Sequence, residues 1–398
     1  MKNIRRGLAL LLTTALLLIS LSGCNALIER DRLVITPHQI DLAPPQDNGD
    51  FVIINSQQEL ERIMRNMVRV HAEQGLFRID RFSDYGIETI IADAVREVQT
   101  DPLVAYVGSV FMHSILSDGP AYTELELTIS YQRTVEQVVD IRTVHSTLGA
   151  ATLLEWILRD GETYLAMLAP ATVVGVGHLE RIIQDIYYSQ ALDVITLPRV
   201  QISLYPSSGT SVQRIAVVEL SFGFYPDELA QMGRDLRQAA EDLIGDLPED
   251  INLGSQLIWL ADTLAARIPP EYDLPVVPPV NLIRPRDISA TAYGALVEGL
   301  ASSEGYAMAF KALLDLLQIE SHVIMGEREG RLHAWNLVYV DGIYYHMDLS
   351  LLPQYGPERT LFLSDEVMMV ELGYTWDLSL YPRGIGTLRY SDFTEQLD

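Results

Sequence analysis

The chain has 398 residues, 48% of them hydrophobic and 21% charged, which is enough for two or three globular domains and too apolar for extended disorder. Its formal net charge of −26 repels nucleic acid and anionic lipid headgroups, so nucleic-acid and other polyanion binding are set aside. With a single cysteine, Cys24, no internal disulfide can form.

The first element in the chain is a leader. Lys2, Arg5 and Arg6 precede an apolar run over residues 8–21 that is short for a membrane span, the pattern of an export signal over residues 1–23. It ends on Leu21-Ser22-Gly23-Cys24, which resembles the lipobox of bacterial lipoproteins. That resemblance implies a diacylglycerol anchor on Cys24, which becomes the first mature residue on the extracytoplasmic side of the cell membrane. Removing the leader takes away three cations and no acids, so the net charge moves by three to −29. Residues 24–50, with the run PHQIDLAPPQDNGD, read as tether and linker.

FVIIN (residues 51–55) has strand composition, and Ser56-Gln57-Gln58-Glu59 forms a capping box before a helix with Leu60, Ile63, Met64, Met67 and Val68 on one face. Two internal similarities follow. LERIMRNMVRVHAEQGLFRI from Leu60 resembles LERIIQDIYYSQALDVITL from Leu179, an offset of 119, each a helix leading into a strand-like run. ELTISYQRTVEQV from Glu126 resembles ELSFGFYPDELAQM from Glu219, an offset of 93, each a strand leading into a helix. IETIIADAVREV from Ile87 then has no counterpart. The reading is two diverged α+β modules, residues 51–149 and 150–246.

Chemistry does not concentrate in these modules. Val174-Gly175-Val176-Gly177 lacks the third glycine of a dinucleotide loop, and His38, His71, His113, His145 and His178 are scattered without metal-ligand spacing. Neither a cofactor nor a metal is expected.

From about residue 250 the texture changes. Residues 255–268 form an amphipathic helix, and residues 269–287 are a proline-rich loop. A second helix over residues 304–318 carries Tyr306, Phe310, Leu313, Leu314 and Leu317 on one face, with Ser303 or Ser302 where an N-cap belongs. SHVIMG (residues 321–326) reads as a strand, and residues 331–350 as a hairpin turning on Asp341-Gly342, the dipeptide of a two-residue type I′ turn. Such a turn pairs Val340 with Ile343 and puts His333 opposite Ser350. Asp348 is then the diagonal neighbour of His333 on the same face, about 7–8 Å away backbone to backbone. This is a base with an orienting carboxylate, or else a structural His-Asp pair.

The motifs TAYGALVEG (291–299), SEGYA (303–307), HAWN (333–336), DGIYYHMD (341–348) and LFLSDEVM (361–368), with Tyr272-Asp273 upstream, together resemble the transglutaminase-like domain of the papain-like cysteine protease and transglutaminase superfamily. The similarity runs over residues 250–398. It implies an α+β domain in which a central helix, carrying the nucleophile at its N-terminus, packs on an antiparallel sheet. The family's Cys-Glu-Gly-Tyr-Ala motif falls on Ser303–Ala307, its histidine on His333 and its aspartate on Asp348. Two departures stand out: Ser303 replaces the cysteine, and Ser350 and Leu351 stand where the family carries a Thr-Trp pair.

The first departure is chemically severe. A helix N-terminus and a nearby imidazolium can hold a thiol, which starts near a pKa of ~8.5, as thiolate, whereas a serine hydroxyl starts several units higher. The leading expectation is therefore a membrane-anchored lipoprotein whose transglutaminase-like domain is inactive and binds envelope protein or cell-wall peptide. The alternative is a Ser303-His333-Asp348 hydrolase or acyl transferase acting on peptide or ester bonds. A third reading gives the function to the two N-terminal modules and makes the last domain a scaffold. Beside these residues, Trp335 is expected on the His333 face as a groove wall or core residue, Tyr293 as an oxyanion donor, His346 as a competitor for Asp348 or a residue at the sheet margin, and Glu304 as a partner of the helix dipole.

Overall fold

Apolar residues alternating along strands and periodic along capped helices give three sheets, each packed on helices, in an α+β fold. The computed structural model describes residues 51–81, 85–268, 287–351, 361–390 and 392, together with the backbone of Thr36–Pro37. The leader with Cys24, the rest of the linker, residues 269–286 and Tyr272-Asp273 lie outside the described residues. Among the described residues no helix is long and apolar enough to cross a membrane.

After β1 (Thr36–Pro37) the first unit comprises β2 (Val52–Ile54), α1 (Gln57–Arg69), β3 (Gln74–Asp80), α2 (Ile87–Val98), α3 (Pro102–Val107), β4 (Val110–Asp118), β5 (Tyr122–Ser130) and α4 (Val135–Val139). The capping box forms as expected, with Ser56 Oγ accepting from the Glu59 N–H at 3.2 Å and Glu59 Oε2 accepting from the Asn55 N–H at 3.0 Å. The sheet order is β2-β3-β5-β4, with β2 and β3 parallel and the other pairs antiparallel.

The second unit comprises β6 (Arg142–Thr143), α5 (Thr147–Asp160), β7 (Tyr164–Pro170), α6 (Val176–Ser189), β8 (Arg199–Tyr205), β9 (Gln213–Ser221) and α7 (Pro226–Gly245). Its sheet repeats the first in order and direction, β6-β7-β9-β8, with β1 added beside β6. Gln57 and Thr147, Gln74 and Tyr164, Ile87 and Val176, and Tyr122 and Gln213 open matching elements, a step of about 90 residues.

This step replaces the offset of 119. Leu60 lies on α1 and Leu179 on α6, and the two helices hold different places; the counterpart of α1 is α5, and that of α2 is α6. The run ending at Leu197 is turn rather than strand, with β8 opening at Arg199. A division at 149/150 would cut α5, so the units part between α4 and β6. The second pair of segments keeps its match, since β5 leads into α4 as β9 leads into α7.

The last unit holds α8 (Leu253–Arg267), a 3₁₀ turn (Ile288–Ala290), a π-turn (Gly294–Glu298), α9 (Ser303–Leu316), β10 (Ser321–Arg328), β11 (Arg331–Val340), β12 (Ile343–Met347), α10 (Glu366–Glu371) and β13 (Tyr374–Thr375). Its sheet is antiparallel, in the order β12-β11-β10-β13. Helix α9 is buried on both sides. Tyr306, Ala309, Phe310, Leu313 and Leu314 share a core with α8 and this sheet, while Ala307, Met308 and Ala312 share one with α5, α6 and β7. Beyond β13 the chain returns as a strap. Arg383 pairs with Glu366, Arg389 with Asp365, and Gly384 and Gly386 press against His346 and Tyr345, leaving no room for a Cβ at either position.

Candidate functional site

The site is built where α9 begins. Ser302 is the N-cap: its N–H and Oγ donate to Ser289 O at 2.8 and 3.3 Å, and its Oγ accepts from the Gly305 N–H at 3.5 Å. Gly305 has to be glycine, because a Cβ there would stand 2.1 Å from Ser289 O. Ser303 is thereby released from capping and becomes the first helical residue. Half-buried, it accepts at Oγ the Ala334 N–H of β11 at 3.2 Å.

The hairpin brings the other two residues in. Asp341 and Gly342 have φ of +48° and +91°, as a type I′ turn requires, and the ladder runs from Val340↔Ile343 to Asn336↔Met347 in the expected register. His333 Nε2 and Asp348 Oδ2 are 2.5 Å apart. Asp348 is 1% exposed, and burial by itself pushes its carboxyl up. The His333 ring together with the hydroxyls of Ser350 and Tyr374 outweighs this and holds it below the usual carboxylate value.

Ser350 donates to Asp348 Oδ1 from both Oγ, at 2.6 Å, and N–H, at 3.1 Å, so this departure from the family pattern still places a hydroxyl on the carboxylate. The Tyr374 hydroxyl donates to Oδ2 at 2.6 Å. Sequence reasoning missed Tyr374 because its strand, β13, reaches the site by pairing Tyr374 with Arg328 of β10, a long-range contact that no local spacing announces.

Of the two readings of Trp335, core packing holds and groove wall does not. The residue is 1% exposed, its ring lies 5.1 Å from Tyr374 and 5.6 Å from Trp376, and a Cβ on Gly326 would meet it at 2.6 Å. His346 does not compete for Asp348; its Nδ1 accepts the Trp335 indole N–H at 3.0 Å, and burial pushes the imidazole down to about 4. The Tyr293 hydroxyl engages Glu298 and is raised in pKa first by burial and then by Glu298 and by Asp235 of α7. Glu304, fully buried, does more than face the helix dipole: its Oε1 accepts the Tyr188 hydroxyl of α6 at 2.9 Å.

No family model matches the chain, and no curated protein matches it. Among solved structures it is similar to one described as "Crystal structure of a TGase", at 11% identity and a TM-score of 0.24, over 59% of this chain. The match covers 64% of that structure's chain, less than two thirds of its length.

Ser303, His333 and Asp348 thus gather at one helix end and one hairpin, but unevenly. The His333–Asp348 pair is made, with Asp348 fixing one ring nitrogen and leaving Nδ1 for another partner. Among the described residues no hydrogen bond joins Ser303 Oγ to His333, and the bond that Ser303 Oγ does make comes from a backbone N–H. The arrangement can orient an imidazole and accept a polar ligand at a helix N-terminus.

Proposed function

We propose that this chain is an extracytoplasmic lipoprotein, anchored through Cys24, whose C-terminal transglutaminase-like domain binds envelope protein or cell-wall peptide without turning it over. The observation that carries the loss of turnover is Ser303 Oγ taken up by the Ala334 N–H at 3.2 Å and unlinked to His333. A hydroxyl needs a base in contact to become a nucleophile, and no pre-formed alkoxide substitutes for one. The leader pattern and the lone cysteine support the anchor, and the net charge of −29 left once the leader is removed suits a body held away from an acidic surface.

Peptide hydrolysis and transamidation assays on the purified protein should give no rate above that of Ser303→Ala; sustained turnover lost in that variant would overturn the reading. For the anchor, a labelled fatty acid should be incorporated in the wild type and not in Cys24→Ala.

The hydrolase reading is favoured by one observation, the complete His333–Asp348 pair at 2.5 Å. A serine-directed fluorophosphonate separates the two readings. Labelling of Ser303 that disappears in His333→Ala establishes the hydrolase, and an unlabelled, folded protein leaves the binding module. Ser303→Cys should place a thiol at the helix N-terminus beside His333, and iodoacetamide at pH 7 should alkylate residue 303 several-fold faster than in Ser303→Cys/His333→Ala, as read by mass spectrometry.

A further inference from the structure

The first sheet ends on an edge that the molecule leaves unguarded. Strand edges carry unpaired backbone groups, and proteins protect them by shortness, proline, charge or cover. Among the described residues the three sheets have six edges, and five are protected. Strands β1, β2 and β13 have two or three residues, β8 lies between Pro198 and Pro206 and opens on Arg199, and on β12 the N–H and carbonyl of His346 bond to Ser364.

Strand β4 differs from all of these. It has nine residues, and residues 102–117 contain no Asp, Glu, Lys or Arg in a chain of net charge −26. Its bulge falls at Leu116, which leaves residues 110–115 as regular strand, and among the described residues it pairs with β5 alone.

The face beside this edge supplies a selective contact. Met112 and Ser114 of β4 share it with Leu76 and Glu126, and Ser114 stands directly opposite Glu126. Glu124, two residues along β5, is taken by Arg78 at 2.6 Å. Among the described residues Glu126 has no ion pair, so its charge is unmatched. Neighbouring strands lie about 4.8 Å apart, which would put the backbone of a strand added to β4 about 10 Å from that of β5. A lysine or arginine and a glutamate together span that distance, and only the small Ser114 lies between.

We infer that the β4 edge takes up, as an additional strand, an extended segment of a partner protein in which a basic residue faces Ser114 and reaches Glu126, while apolar residues two positions to either side face Met112 and Leu116. A second copy of this chain fits poorly, because β4 offers no cation to Glu126 and both bodies carry the same large negative charge. The surface is separate from the Ser303 site and does not depend on how that site is read.

Fluorescence anisotropy of a fluorescein-labelled peptide, Thr-Val-Thr-Lys-Thr-Val-Thr-amide, titrated with the full chain, tests it. The peptide should bind, and either Glu126→Gln or norleucine in place of the peptide's lysine should weaken binding about fivefold. Ser114→Lys, which puts a cation on the edge at an exposed position, should weaken it at least tenfold. Methylating the peptide on alternate backbone nitrogens separates strand addition from charge attraction: one alternate set should abolish binding and the other should leave it. No binding to folded protein, an unaffected Glu126→Gln, equal effects of the two methylation patterns, or a self-associated chain that Ser114→Lys dissociates in sedimentation each overturns the assignment.

Discussion

The first and second sheets share strand order and direction but differ in how many faces they bury. In the first, Phe77, Ile79, Leu125, Leu127 and Ile129 are buried against helices. The other face leaves Leu76 and Met112 exposed, with an Arg78–Glu124 ion pair between neighbouring strands. In the second, Leu165, Met167 and Ala169 face α5 and α6, while Ala166, Ile215 and Val217 on the opposite side belong to the core of the first unit. The sequences already differ accordingly: β5 alternates as Thr-Glu-Leu-Glu-Leu-Thr-Ile, whereas β9 runs Ile-Ala-Val-Val without interruption. Alternation marks a sheet with one wet face, and a continuous apolar strand marks a sheet covered twice.

The comparison breaks most visibly at Val217, which is 3% exposed. Val217→Asp should cost about 4 kcal/mol or unfold the protein, since an unpaired charge would lie between the two units. Urea denaturation reads this, and a small loss would mean the second sheet is not covered twice.

Acid sharpens the comparison by adding the third sheet, whose core holds His346. Its folded pKa of about 4 lies below the unfolded value of 6.5, so its stabilising contribution is complete above pH 6.5 and is lost as pH falls towards 4. About 3 kcal/mol should disappear over that window. His346→Phe, if folded, should flatten the profile measured by urea at a series of pH values.

A smaller effect belongs to the seam. The Tyr106 hydroxyl of the first unit meets the Tyr164 hydroxyl of the second at 2.8 Å, and Tyr106→Phe should lower stability by about 1 kcal/mol. Smallest of all, Met112→Asp on the open face should move the urea midpoint by the equivalent of about 0.5 kcal/mol or less. A loss as large as that of Val217→Asp would show that this face is covered after all.

Much of the C-terminal site was legible because one local device governs it. A two-residue turn at Asp341-Gly342 fixes the register of the hairpin, and the register fixes which strand residues meet, so His333 and Asp348 followed from chain positions alone. What escaped depended on contacts between distant segments. Tyr374 arrives through a separate strand, and Glu304 finds Tyr188 across the joint between units.

The repeat was misaligned for a different reason. Leu-Glu-Arg-Ile at 60 and at 179 are both turns of amphipathic helix, and helical periodicity reports which face is buried but carries nothing of a helix's place in the topology. The third reading, which gives the function to the two N-terminal modules, is not tested by simple truncation, since α9 shares a core with α5 and α6 and deleting residues 51–246 would strip Ala307, Met308 and Ala312 of their partners.

The strap over residues 381–390 bears on the timing of folding. Gly384 and Gly386 complete the packing around His346 and Tyr345, and Arg383 and Arg389 fasten the strap to Glu366 and Asp365. These residues lie well beyond α9 in the chain and leave the ribosome after it. Domains fold as units during synthesis, so the unit that carries the Ser303 site is completed only when the strap has emerged. A nascent chain stalled before Gly384 would leave the Tyr345 and His346 side chains of β12 without this cover, a target for a chaperone or a protease.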